Sequence, residues 1–209
     1  IRAAQKEGIH VVISTGRMYE SAKEVLDEAG LTCPIVCLNG SQIYDYEAKI
    51  LHNDSMDKEI FAKALSICEA ENKTFIISTS EGSFTKCRDT LYDEFFTDKQ
   101  TGKTHKVTAT LRKVRTYSSI EDFNDLDVYK ILFLSKNEEV ISRIRLKLMQ
   151  EEGLLITSSG SNNVEINAAN VSKGAALLKL APILGVDLNE SMAIGDSFND
   201  VSMFNRVGF

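Results

Sequence analysis

Asp196 and Asp200 stand four residues apart in the stretch Met192-Ala193-Ile194-Gly195-Asp196-Ser197-Phe198-Asn199-Asp200, directly after a short apolar run. Two carboxylates held together are costly unless a cation or a proton separates their charges. Ligands that are all oxygen favour a hard cation, and Mg²⁺ is the expected one. Gly195 is expected to let the backbone turn sharply where the strand ends. The loop then opens a helix expected over residues 199–206. In an open parallel α/β sheet, ligands bind at the carboxyl ends of strands. The stretch therefore points to a metal-assisted site and to phosphate chemistry. Taken alone, the same two acids also suit a helix start, where the dipole favours negative charge.

Two more polar segments follow apolar ones. Ile9-His10-Val11-Val12-Ile13-Ser14 reads as a strand buried on both faces, and Thr15-Gly16-Arg17 sits at its end. Ser172-Lys173-Gly174 opens a helix expected over 173–184, with Leu177, Leu180, Ala181 and Leu184 on one face, Pro182 distorting the last turn and Gly185 stopping it. Residues 34–38 form a further buried strand that ends in Asn39-Gly40. Alone, Thr15-Gly16 is a common strand-to-helix turn, Lys173 a solvated lysine, and Asn39-Gly40 a β-turn.

The elements that must position these residues alternate. Residues 1–7 read as the end of a helix stopped by Gly8, and a helix over 18–29 carries Ala22, Val25, Leu26 and Ala29 inward. The order helix, strand, helix, strand argues for an α/β sheet with right-handed crossovers. After about residue 42 the character changes. Strands are expected over 42–46, 49–52, 74–80, 83–88, 128–135 and 154–157. Helices are expected over 57–72 and 137–152. This mixture suggests an inserted α+β domain, and the α/β pattern returns with a strand over 164–167 and another over 191–194. The division expected is core 1–53, inserted domain 54–160 and core 161–209. Both ends read as cut.

In order and type, Ile13-Ser14-Thr15-Gly16-Arg17, Val171-Ser172-Lys173-Gly174 and Gly195-Asp196-Ser197-Phe198-Asn199-Asp200 resemble motifs two, three and four of the haloacid dehalogenase superfamily of phosphohydrolases. The insertion and the Asn39-Gly40 pair resemble its Cof-type branch with a large C2 cap. The resemblance implies a Rossmann-like core with a parallel sheet and an inserted α+β cap. It implies hydrolysis of a small phosphate monoester with Mg²⁺, through an aspartate that attacks phosphorus. By the same resemblance Thr15 gives a hydroxyl and a backbone N–H to the phosphoryl group, Lys173 a fixed positive charge, and Asp196 binds Mg²⁺. Asp200 is a second metal-shell acid or the partner of Lys173. Asn199 is a hydrogen-bonding neighbour, and Gly16, Asn39 and Gly40 line the phosphate site. Arg17 meets an anionic substrate or braces the loop. The family's first motif, Asp-x-Asp-Gly-Thr after a strand, is absent from these 209 residues, so the nucleophile is not among them. Sugar phosphates are the first expectation for the substrate. The alternatives are a phosphosugar mutase or sucrose-phosphate-type relative, and a catalytically silent phosphate-binding module.

Composition narrows the partners. The net charge of −6 argues against a nucleic-acid backbone as main partner, and no apolar run approaches the roughly 20 residues of a membrane span. Cys33, Cys37, Cys68 and Cys87 have no C-x-x-C spacing and read as buried thiols in a reducing cytoplasm. A monomer or homodimer acting on a small phosphorylated metabolite is expected. His10, His52 and His105 read as structural or exposed. Phe95 and Phe96 read as cap packing, with one free to face substrate. Lys103, His105, Lys106, Arg112, Lys113 and Arg115 read as a solvated face rather than a phosphate-steering patch.

Overall fold

The computed structural model describes residues 1–71, 74–96 and 113–209, without the side chains of Glu94 and Phe96. The chain divides into two units, Ile1–Asp54 with Asn170–Phe209, and Ser55–Ala169.

The first unit is built from α1 (Arg2–Lys6), β1 (Ile13–Ser14), α2 (Tyr19–Glu28), β2 (Ile35–Cys37), β3 (Gln42–Tyr44) and β4 (Ile50–Asn53). The sheet order is β1-β2-β3-β4. Only β1 and β2 are parallel; β2, β3 and β4 run antiparallel, joined by tight turns. Its core is Val36 and Ile43 against Ala176 and Leu180 of the helix Lys173–Leu184, with Val12, Leu51 and Leu184 at the margin. That helix runs to Leu184 despite Pro182 and ends at Gly185 with φ 68°. On α2, Ala22 and Leu26 are buried as the periodicity predicts, but Val25 faces solvent.

Two expected strands are corrected. The run 9–14 is strand only at Ile13–Ser14, and residues 191–194 form none. A strand is defined by pairing as much as by local pattern. β1 lies at the edge of its sheet. The segment after Glu190 pairs with the chain end, through Ala193 N–H to Phe209 C=O (3.0 Å) and Phe209 N–H to Ser191 C=O (3.1 Å). Between these edges lies a cavity of about 440 Å³ lined by Ile9, Val12, Ser14, Leu180, Met192 and Ile194 among others. Ile194 is 86% exposed, although its type belongs in a core.

The second unit contains α3 (Lys58–Ala70), β5 (Thr74–Thr79), β6 (Gly82–Thr85), α4 (Arg88–Leu91), β7 (Arg115–Thr116), β8 (Val128–Leu134), α5 (Glu138–Leu148), β9 (Leu154–Thr157) and β10 (Asn163–Ala168). Its sheet order is β7-β6-β5-β8-β10-β9, antiparallel except between β6 and β7. Asp57 caps α3 and Asn137 caps α5, each accepting two backbone N–H bonds. Both helices bury their apolar faces on one side of the sheet. Phe61, Leu65, Ile141, Ile144 and Leu148 pack there against Phe75, Ile131 and Phe133. A smaller cluster of Ile76, Leu91, Val114 and Leu134 includes Phe95 at its edge. Residues 161–169, expected with the core, belong here instead, because β10 pairs with β8 and β9. Four of the six residues read as a basic stretch lie outside the described residues. Of the other two, Lys113 is exposed and Arg115 stacks over the Phe84 ring at 4.3 Å.

Cys33, Cys37 and Cys68 are free and buried, while Cys87 is exposed, against expectation. Among the described residues no helix is long and apolar enough to cross a membrane.

Candidate active site

The residues singled out by type and spacing gather in the first unit around one buried ammonium. Lys173 is the first residue of α6 (Lys173–Leu184), whose start is fixed by Ser172 Oγ accepting from Ala175 N–H at 3.0 Å. Its Nζ donates to Asp200 Oδ1 at 2.5 Å and to Asn199 Oδ1 at 3.4 Å. Lys173 is 6% exposed and Asp200 5% exposed. Such a charge is tolerated in a core only when paired and hydrogen-bonded.

Asp200 spends its other oxygen on the loop that precedes it. Oδ2 accepts from Asp196 N–H at 3.1 Å and Ser197 N–H at 3.0 Å. Together with the Ser197 side chain this is a capping box for the turn Phe198–Asp200, which leads into α7 (Val201–Phe204). Burial pushes the Asp200 carboxyl up, but the Lys173 hydrogen bond, the Ser197 and Asp196 N–H groups and the Lys173 charge outweigh it and hold it below the usual range. Of the two roles open to Asp200, the geometry displays the partner of Lys173.

Gly195 is required for a different reason from the one expected. Its φ lies outside the left-handed region, but a Cβ there would sit 2.5 Å from Asp200 Cβ and Cγ. The glycine makes room for the Asp200 carboxylate to fold back over its own loop. Asp196 is exposed, and its Oδ1 accepts only from Ser197 Oγ, at 3.2 Å, among the described residues. Asp196 is thus the acid whose oxygens face outward.

The turn after β2 joins the same cluster. Asn39, 3% exposed, accepts at Oδ1 from Asn199 Nδ2 at 3.3 Å. Gly40, with φ 111°, lies so close to α6 that a Cβ would meet Ser172 C=O at 2.4 Å. Asn39 N–H donates to Thr15 C=O (3.0 Å), and Leu38 N–H to Arg17 C=O (2.9 Å), which ties in the loop after β1. Thr15 Oγ1 accepts from Arg17 N–H at 3.2 Å. The Arg17 side chain is exposed. All nine candidate residues, Thr15, Gly16, Arg17, Asn39, Gly40, Lys173, Asp196, Asn199 and Asp200, therefore lie on three loops and the first turn of α6, stitched to one another.

Sequence reasoning missed Ser197, although Ser197-x-x-Asp200 has the capping-box spacing that marks it. It also missed Ser202, whose Oγ accepts from Gly174 N–H at 3.1 Å and donates to Asn199 C=O at 3.3 Å. Elsewhere in the unit, Asp54 Oδ2 accepts from Lys179 Nζ at 2.6 Å and lies 2.8 Å from His52 Nε2. This ties α6 to the end of β4.

Fold and site together define an α/β enzyme core carrying a second α+β unit in mid-chain. A haloacid dehalogenase-like hydrolase family model matches residues 1–209. Phosphatase YwpJ of Bacillus subtilis is 28% identical over all of this chain and 78% of its own length. A second B. subtilis protein, 5-amino-6-(5-phospho-D-ribitylamino)uracil phosphatase YwtE, is 30% identical over all of this chain and 77% of its own. Among solved structures, a haloacid dehalogenase-like hydrolase from B. subtilis superposes with a TM-score of 0.82 at 28% identity, covering 99% of this chain and 78% of that one. The chain belongs to the haloacid dehalogenase-like hydrolases.

Proposed function

We propose that the protein hydrolyses small phosphate monoesters with Mg²⁺, and that a phosphorylated sugar or sugar alcohol is its substrate. The observation that carries this reading is the Lys173 ammonium, buried and fixed by Asp200 and Asn199 within the loop cluster that also carries Asp196 and Thr15. A preorganised cation in a dry site stabilises the charge on a phosphoryl group far better than one in water. Thr15 supplies its hydroxyl to the phosphoryl oxygens, its N–H being taken by Val36 C=O at 2.8 Å contrary to the sequence expectation; Gly16 lets the backbone close on them, and Arg17 meets the anionic substrate. Family membership and the phosphatases among the relatives support the reaction class. The relatives named for a phosphoribitylamino-uracil support a polyol leaving group.

The donor set suits a hard cation in chemistry: Asp196 offers an exposed carboxylate. No group of three or more His, Cys, Asp and Glu side chains gathers among the described residues, so Asp196 would hold Mg²⁺ with oxygens from elsewhere. When bound, Mg²⁺ neutralises phosphoryl charge.

No Asp-x-Asp-Gly-Thr stretch occurs within residues 1–209, and the reaction proposed needs an attacking aspartate carboxylate. That carboxylate forms a bond to phosphorus, the ester oxygen leaves with its electron pair, and water then cleaves the aspartyl phosphate. The buried thiols Cys33, Cys37 and Cys68 fit a reducing cytoplasm.

The test is phosphate release by the whole protein from sugar phosphates, polyol phosphates and nucleotides. Preferred turnover of the first two is expected. Equal or greater turnover of nucleotides would contradict the substrate class, and no release from any ester would contradict the reaction.

A further inference from the structure

We propose that Asn39 is a positioning residue for Lys173: its side-chain carbonyl fixes the orientation of the Asn199 amide, and through it the ammonium, without touching substrate. This rests on the phosphatase reading, but assigns Asn39 a role other than the phosphate contact expected from the sequence.

The Asn199 amide lies between Asn39 and Lys173. One end of an amide donates and the other accepts. Its Nδ2 faces Asn39 Oδ1 at 3.3 Å and its Oδ1 faces Lys173 Nζ at 3.4 Å. Turning the amide over would set its NH₂ against the ammonium and its carbonyl against the Asn39 carbonyl. Asn39, Asn199, Lys173 and Asp200 are each no more than 6% exposed, so both mismatches would be felt at low dielectric. The Asn39 carbonyl therefore selects the orientation in which Lys173 has an acceptor. With Asp200 and Asn199 on two of its donors, the ammonium is held in one position, with its third N–H not taken up by a described residue.

The backbone supports the same reading. Leu38 and Asn39 have φ of 51° and 60°, two consecutive left-handed residues that are not glycine. Asparagine accepts that region more readily than most residues; leucine does not. Strained backbone persists where the surroundings over-determine it, often at functional sites. Here the surroundings are the site itself: Leu38 and Asn39 N–H groups bond to Arg17 and Thr15, and Gly40 abuts Ser172. The turn thus sets one side chain in register with the loop after β1 and with the start of α6.

The test uses the whole protein and p-nitrophenyl phosphate. Asn39→Gly keeps the left-handed backbone and removes the carbonyl; Asn39→Asp keeps an acceptor. For Asn39→Gly, kcat is expected to fall about tenfold with KM unchanged within about twofold, the pattern of misplacement rather than lost binding. Asn39→Asp should retain activity within about threefold. Asn199→Ala should lower kcat similarly, and Asn39→Gly with Asn199→Ala should be no worse than Asn199→Ala alone, because the two act as one unit. Multiplying losses in the double variant, or a raised KM with unchanged kcat in Asn39→Gly, would overturn the role while leaving the phosphatase reading intact. No turnover by the unaltered protein on any phosphate ester would remove that reading and this role with it.

Discussion

At the scale of single residues the site is a set of carboxylates and amides consumed in holding one cation, with Asp196 left facing out. Lys173→Met would leave Asp200 buried with only its N–H partners, so a stability loss of about 3–5 kcal/mol is expected from the broken pair. A fall in kcat of about 10²–10³ should accompany it, the scale on which a preorganised electrostatic contact acts. Urea unfolding and steady-state turnover check the two parts separately. Gly195→Ala puts a methyl 2.5 Å from Asp200 carbon atoms. Overpacking of this kind costs about 1–3 kcal/mol and should displace the Lys173–Asp200 pair, giving reduced turnover that Asp196 alone cannot sustain. The identities of these residues were legible in the sequence because each follows a strand-like apolar run. Their bonding was not. The Asp200–Lys173 pair was one of two roles the family resemblance implied rather than a local pattern, and that Asn39 meets Asn199 across 160 positions depends on tertiary approach and leaves no local signature.

At the scale of elements, legibility followed periodicity. Helices α3 and α5 form where they are expected and bury Phe61, Ala64, Leu65 and Cys68, and Val140, Ile141, Ile144 and Leu148, each set at helical spacing. Strands were less secure: residues 9–12 and 191–194 have strand-like composition but form no strand ladder among the described residues, and pairing decides. The contact between α3 and α5 gives a pH prediction. Glu71, at the end of α3, accepts from Arg143 Nε and Nη2 at 3.2 and 2.6 Å and from Lys147 Nζ at 2.8 Å. The Arg143 hydrogen bond first, then that from Lys147, hold its carboxyl down at about 2, against a smaller opposing effect of burial. A carboxyl lowered on folding contributes stability above its unfolded value, about 4.3, and loses it as pH falls towards the folded value. Stability should therefore decline between about pH 4.5 and 2, and Glu71→Gln should be less stable at pH 7 but show a shallower decline. Urea midpoints of both proteins at pH 7, 4 and 2.5 decide this; parallel declines would contradict it.

At the scale of the whole molecule, the chain interrupts one α/β unit with a second unit built on a six-stranded sheet. The change of character near residue 42 signalled the insertion. Its far boundary was misplaced, because β10 reads as a return to the first unit until its antiparallel partners β8 and β9 are known. The interruption leaves the three site loops and the start of α6 on one unit, so the chemistry proposed is a property of that unit's hydrogen bonds. The most direct measurement is p-nitrophenyl phosphate turnover by the whole protein with Mg²⁺, with EDTA, and in an Asp196→Asn variant. The account predicts turnover that requires Mg²⁺, is abolished by EDTA and falls by at least about 10² in the variant while the fold is retained. Undiminished turnover in EDTA, or in Asp196→Asn, would contradict it.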